Sequence, residues 1–197
     1  MGCDCAPQVA DLFLYWYEHD YVSSGVISKN PVVHTLKFAS RYIDDLNVPN
    51  CSLELCEIIC NDIYPKELEI ILTNNDPLNS TFLDLDIFIT KGKFHTKLYD
   101  KRRDFNFKVV TFPNLRSMIP QNPTYGVFVG ELHRISKSCS VLSDFITEVK
   151  SLIAKLVNQK FVESILYSKL GKFLNSKPAV HGIISTPLSS LHSAVIG

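Results

Sequence analysis

Apolar positions recur along this chain in two rhythms, and the switches between them mark out the elements. Val9, Leu12, Phe13, Trp16 and Tyr17 fall at helical spacing, which predicts a helix from Ala6 to about Tyr21. Pro7 suits its first turn, Ser23-Ser24-Gly25 ends it, and a loop to Pro31 follows. Short β-type runs, Lys37 to Tyr42 and Leu46 to Val48, then flank Asp44-Asp45 and predict a hairpin. A short helix is expected from Leu53 to about Ile63, a strand over Leu68 to Leu72, and a turn at Asn74-Asn75-Asp76-Pro77. From Thr81 to Ile89 the pattern alternates. Leu83, Leu85, Ile87 and Ile89 would share one face of a strand, Asp84 and Asp86 the other, with Phe82 off-phase or at an edge. Lys91-Gly92 turns into a second strand, Phe94 to Tyr99, and the two aspartates would then pair with Lys97 or Lys93. The polar, proline-punctuated stretch from Asp100 to Pro123 predicts irregular structure. Helices are expected over Tyr125–Ser138, Val141–Gln159 and Val162–Asn175, the middle one capped by Ser140 and striped by Leu142, Phe145, Val149, Leu152, Ile153 and Leu156. Strands followed by helices indicate an α+β fold with a helical appendage. No internal repeat is evident.

Composition narrows the class. The 197 residues, 46% of them hydrophobic, suffice for a real core in one domain or two small ones, and exclude a disordered tail. Net charge is zero but unevenly spread. Residues 1–60 carry three basic against eight acidic side chains, residues 91–108 seven against two, and residues 131–177 eight against four. An acidic front and basic later segments suit a site that holds cations first and phosphate backbone after. The six cysteines have no zinc-ligand spacing, and Cys56 and Cys60, one helical turn apart, read as small hydrophobes. The start lacks a secretory pattern, and Ala6 stands where a myristoylation motif wants Ser or Thr. An intracellular location, nuclear or cytoplasmic, with free thiols and no membrane span is therefore expected.

The candidate chemistry lies in Arg41-Tyr42-Ile43-Asp44-Asp45-Leu46. Adjacent aspartates at a hairpin tip repel each other, a cost that makes sense if a divalent cation sits there. Magnesium takes one or two carboxylates together with substrate phosphates. The structural alternative is an Asp-rich turn, since aspartate favours turns for local hydrogen-bonding reasons.

Several landmarks together resemble a family. Met1 to Pro7 followed by Val9-Ala10-Asp11-Leu12-Phe13 is similar to the loop and helix that precede the catalytic hairpin of reverse transcriptases. Tyr42-Ile43-Asp44-Asp45 resembles their Tyr-x-Asp-Asp signature. Phe82 to Ile87, then Lys97 to Lys101, resembles the hairpins that follow in Penelope-like and related retroelement polymerases, and the helical end with Arg134 and Cys139-Ser140 is similar to their thumb. The likeness covers roughly residues 1–175 and implies a partial palm over 1–110, a linker and thumb over 111–177, and a flexible tail over 178–197.

It further implies an RNA-directed DNA polymerase that uses two magnesium ions for nucleotidyl transfer on an RNA template and DNA primer. Asp44 would be the catalytic, metal-binding carboxylate and Asp45 its neighbour. Tyr42, Ala6, Pro7 and Asp11 would lie near the nucleotide and primer, and Lys97, Lys101, Arg102 and Arg103 would contact backbone phosphates. Asp11 departs from the amide usual at its position. The expectation is also that the fingers and the first catalytic Asp are missing, so that the chain is inactive alone and needs an N-terminal half in cis or trans. A non-enzymatic nucleic-acid-binding protein derived from such an element is the alternative, and an unrelated α+β domain the third reading.

Overall fold

A computed structural model describes residues 4–24, 36–49, 51–74, 76–107 and 109–176. The start at Met1-Gly2-Cys3, the loop expected before Pro31 and the tail from residue 178 lie outside the described residues. The fold is α+β, with helices and two small antiparallel sheets. It divides into two compact units, Met1–Pro77 and Leu78–Gly197.

The first unit begins with α1 (Ala6–Ser23), opened by Pro7 and closed where the Ser24 N–H donates to the Asp20 carbonyl. Its apolar residues fall at the expected spacing, yet none is buried: Leu12 is 69% and Trp16 72% exposed. β1 (Ser40–Tyr42) and β2 (Asp45–Asn47) form the hairpin, paired Ser40↔Asn47 to Tyr42↔Asp45 around the loop Ile43-Asp44. The first strand is shorter than its sequence suggests. Leu36–Phe38 is a 3₁₀ turn, because β2 ends opposite Ser40 and leaves nothing for an earlier residue to pair with. α2 (Leu53–Ile63) follows, its N-cap Ser52 accepting from the Leu55 N–H and Glu54 lying in the first turn. Of the described residues in this unit, only Ile59 and Cys60 are buried apolar ones. The strand expected over Leu68 to Leu72 does not form. Strand propensity needs a pairing edge, and this segment has none among the described residues; Ile71 stands 70% exposed.

The second unit has a real core. β3 (Asn79–Phe82), β4 (Leu85–Thr90) and β5 (Lys93–Leu98) form an antiparallel meander in that order. The alternating run from Thr81 is therefore not one strand; it turns at Leu83-Asp84, and Phe82 pairs Leu85. This register explains the off-phase Phe82. A two-residue loop places the residues on either side of it on one face, so Phe82 joins Leu85 and Ile87. Lys91-Gly92 closes the next hairpin with φ of 51° and 71°, as a type I′ turn requires.

After β5 come a 3₁₀ turn (Lys101–Asp104), irregular chain, and a single helical turn (Gln121–Thr124). The helices α3 (Gly126–Ser138), α4 (Leu142–Asn158) and α5 (Glu163–Ser176) complete the unit. Phe128, Leu132 and Ile135 on α3 meet Phe145, Val149, Leu152, Ile153 and Leu156 on α4 and Leu166, Leu170 and Leu174 on α5 in one core. Each such buried side chain contributes about 1.5–3 kcal/mol by leaving water. Ser140 does not cap α4 with its side chain. Its hydroxyl instead accepts from the Thr96 N–H (2.8 Å), and its own N–H donates to the Thr96 carbonyl (2.8 Å), which ties the α3–α4 junction to β5. α4 ends in a Schellman arrangement, with Phe161 N–H on the Leu156 carbonyl, Lys160 N–H on Val157, and Lys160 at φ 69°.

Candidate functional site

Tyr42, Asp44 and Asp45 are all exposed at the hairpin tip. Neither carboxylate takes part in a hydrogen bond or ion pair among the described residues. The turn that presents them is unusual. Ile43 has φ 55°, a left-handed value that a β-branched residue rarely adopts. With that value at the first loop position, the backbone has the hand a type II′ hairpin turn requires, where glycine is the ordinary choice.

Arg41, with only 11% of its side chain exposed, joins this hairpin to α1. Its Nε donates to Glu18 Oε1 (2.5 Å) and its Nη2 to Glu18 Oε2 (3.2 Å). Nη1 donates to Asp11 Oδ1 (2.7 Å) and to the Ile43 carbonyl (3.0 Å), and Nη2 also reaches the Asp11 carbonyl (3.3 Å). Tyr64 at the end of α2 donates its hydroxyl to Glu18 (2.7 Å). These contacts raise the Arg41 pKa, chiefly through the Glu18 hydrogen bond. Burial, then the bond to Glu18, raises that of Tyr64. Asp11 is thus brought to the hairpin, but as a partner of Arg41. Pro7 is one turn before Asp11 on α1, and Ala6 opens the helix. Arg41, Glu18 and Tyr64 carry no role in the sequence reading. The one available signal was strand alternation, which turns Arg41 away from the face of Tyr42.

The same turn recurs in the second unit. Leu83 also has φ 55° and is also followed by an aspartate. There Asp84 accepts from Arg134 Nε of α3 at 3.1 Å, and Arg134 holds Glu131 as well. Asp86 pairs across the sheet with Lys97 at 3.4 Å, as its strand position leads one to expect.

Part of the basic segment is held in ion pairs, through Lys97, Arg102 and Arg103. Asp100, 7% exposed, accepts from Arg102 Nε at 2.6 Å and lies 3.5 Å from Lys155 of α4. Burial pushes its carboxyl up, but the hydrogen bond and charge of Arg102 outweigh this and hold it at about 2. Arg103 makes a fork with Glu148 of α4, its Nη1 at 2.9 Å from Oε1, and that bond raises the Arg103 pKa. Of the four residues assigned to phosphate contacts, Lys97, Arg102 and Arg103 are therefore in ion pairs, while Lys101 is exposed. Phe105 and Phe107 stack on one another nearby in sequence, with centroids 5.2 Å apart, and both are exposed.

Cys56 and Cys60 lie with their sulfurs 4.0 Å apart, and burial raises the Cys60 thiol to about 12. Among the described residues no three His, Cys, Asp or Glu side chains gather closely enough to hold a metal ion, and no helix is long and apolar enough to cross a membrane. No family model, curated protein or solved structure matches the chain.

Proposed function

We propose that this chain is the catalytic-hairpin portion of a reverse-transcriptase palm with a helical, thumb-like region after it, from a Penelope-like or related retroelement. The observation that carries the reading is the hairpin tip: Asp44 and Asp45 are exposed and have no hydrogen-bond or ion-pair partner among the described residues, while the acidic side chains beside them, Asp11 and Glu18, are balanced by Arg41. Two carboxylates are the protein's share of a magnesium site that also takes phosphate oxygens and water, so the donor chemistry fits. Magnesium, when bound there, would activate the primer hydroxyl and offset charge on the triphosphate. Asp44 and Asp45 would hold it, and exposed Tyr42 would pack beside the primer terminus.

A third carboxylate is needed to complete a two-metal centre. Asp11 and Glu18 are engaged by Arg41, and Asp84 and Asp86 are engaged elsewhere, so further polypeptide in cis or trans would supply it. The bare face of α1, with Val9, Leu12 and Trp16 exposed, suits such an addition. The isolated chain should bind a primer–template with magnesium dependence and show no extension. The test is fluorescence anisotropy of a recessed RNA–DNA duplex with and without magnesium. Tightening by magnesium that disappears in Asp44→Asn supports the reading; binding indifferent to both magnesium and Asp44 overturns it.

The alternative, a non-enzymatic nucleic-acid-binding protein, draws support from the exposed Phe105–Phe107 stack four residues after Lys101. It predicts strongly salt-dependent binding that Phe107→Ala weakens and magnesium leaves unchanged.

A further inference from the structure

We infer that Arg41 is the positioning residue of the Asp44–Asp45 tip, with Asp11 as its counter-ion rather than a nucleotide contact; this rests on the metal-binding reading of that hairpin. A guanidinium offers five N–H donors in a rigid fork. In Arg41 these go to both Glu18 oxygens, to the Asp11 carboxylate and carbonyl, and to the Ile43 carbonyl. The last bond matters most. Ile43 is the residue held at φ 55°, a conformation that persists only where surrounding contacts over-determine it. Arg41 grips the carbonyl next to Asp44 and so fixes the direction in which the chain leaves the turn.

The hairpin of the second unit serves as an internal comparison. It has the same left-handed aliphatic residue and the same following aspartate, but its arginine, Arg134, binds the Asp84 carboxylate itself. One arrangement uses up the carboxylate. The other stabilises the turn through its backbone and leaves Asp44 available. Arg41 also offsets Asp11 and Glu18, which would otherwise add two negative charges beside the acidic tip.

The test measures manganese, an oxygen-seeking stand-in for magnesium, by water-proton relaxation and by broadening of amide signals around Asp44. Arg41→Lys keeps the charge near Glu18 and Asp11 but loses the fork. It is expected to bind manganese about five-fold more weakly, the effect of one lost hydrogen bond. In an Ile43→Gly background, where the turn adopts φ 55° without strain, the same change should cost less than about two-fold. Wild-type affinity in Arg41→Lys, or an equal loss in both backgrounds, overturns the positioning role. Asp44→Asn separates the two claims. If it leaves manganese binding intact, the metal reading of the hairpin fails; if it abolishes binding while Arg41→Lys does not weaken it, only the role of Arg41 fails.

Discussion

In the hairpin Ser40–Asn47 an arginine grips the backbone of the turn and leaves the neighbouring aspartate alone; in the hairpin Asn79–Thr90 an arginine grips the aspartate itself. The local chemistry is otherwise shared, an aromatic, a left-handed aliphatic residue and then aspartate. The difference shows that a turn motif does not decide its own function; what the surrounding elements do with its carboxylate does. The surroundings differ too. The second hairpin belongs to a unit where three helices bury a continuous core, while the first belongs to one where only Ile59 and Cys60 among described apolar residues are buried. Buried apolar packing is concentrated in one unit, and exposed apolar side chains occur in both.

The largest expected effect tests that contrast. Leu156→Ala, at a position with no exposed surface, should destabilise by about 3 kcal/mol in denaturant unfolding, whereas Trp16→Ala on α1 should change stability by less than about 0.5 kcal/mol. Next comes the fork between the post-β5 segment and α4. Arg103→Ala leaves Glu148 nearly buried without its partner and should cost about 2 kcal/mol. Acid tests the same corner. The Asp100 carboxyl is held at about 2, below its unfolded value of 3.8, so its stabilisation is complete above pH 4 and lost as pH falls from there through 2. Thermal melts of Asp100→Asn should lose on the order of 1–2 kcal/mol at neutral pH and differ little from the parent near pH 2.

Smaller effects sharpen the comparison of the turns. Glycine at Ile43 or Leu83 should be neutral or stabilise by up to about 1 kcal/mol, because it relieves the left-handed strain, while glycine at Ile87 within β4 should destabilise by more than that. The smallest difference lies in the aspartates. Asp84→Asn should cost about 0.5 kcal/mol by losing an exposed ion pair, and Asp44→Asn should be neutral or slightly stabilising as repulsion from Asp45 falls.

Much of this fold was legible along the chain because its signals are local. Pro7 marks a helix start, Gly92 marks a turn, and the α4 stripe from Leu142 to Leu156 is the observed buried face. The turn at Leu83-Asp84 was hidden because it has no glycine or asparagine, and alternation runs on through it; off-phase Phe82 was its trace. The Leu68 to Leu72 run misled for the opposite reason, since propensity without a partner makes no strand. At the candidate site, the two aspartates announce themselves, but the network that holds them does not. Glu18 and Arg41 are 23 residues apart and Tyr64 is 46 from Glu18, separations that no spacing rule connects. The basic run from Lys97 to Arg103 reads as a phosphate-binding strip until its carboxylate partners Asp86, Asp100 and Glu148 are placed beside it.

The most direct measurement is a manganese titration followed by nitrogen–proton correlation spectra of the intact chain, with the two hairpins read side by side. Selective broadening of residues 42–46, abolished by Asp44→Asn, is the expected result, with residues 82–86 unaffected. Equal broadening of both hairpins, or none at the first, would contradict it, and Asp44-Asp45 would then be an acidic turn like its counterpart.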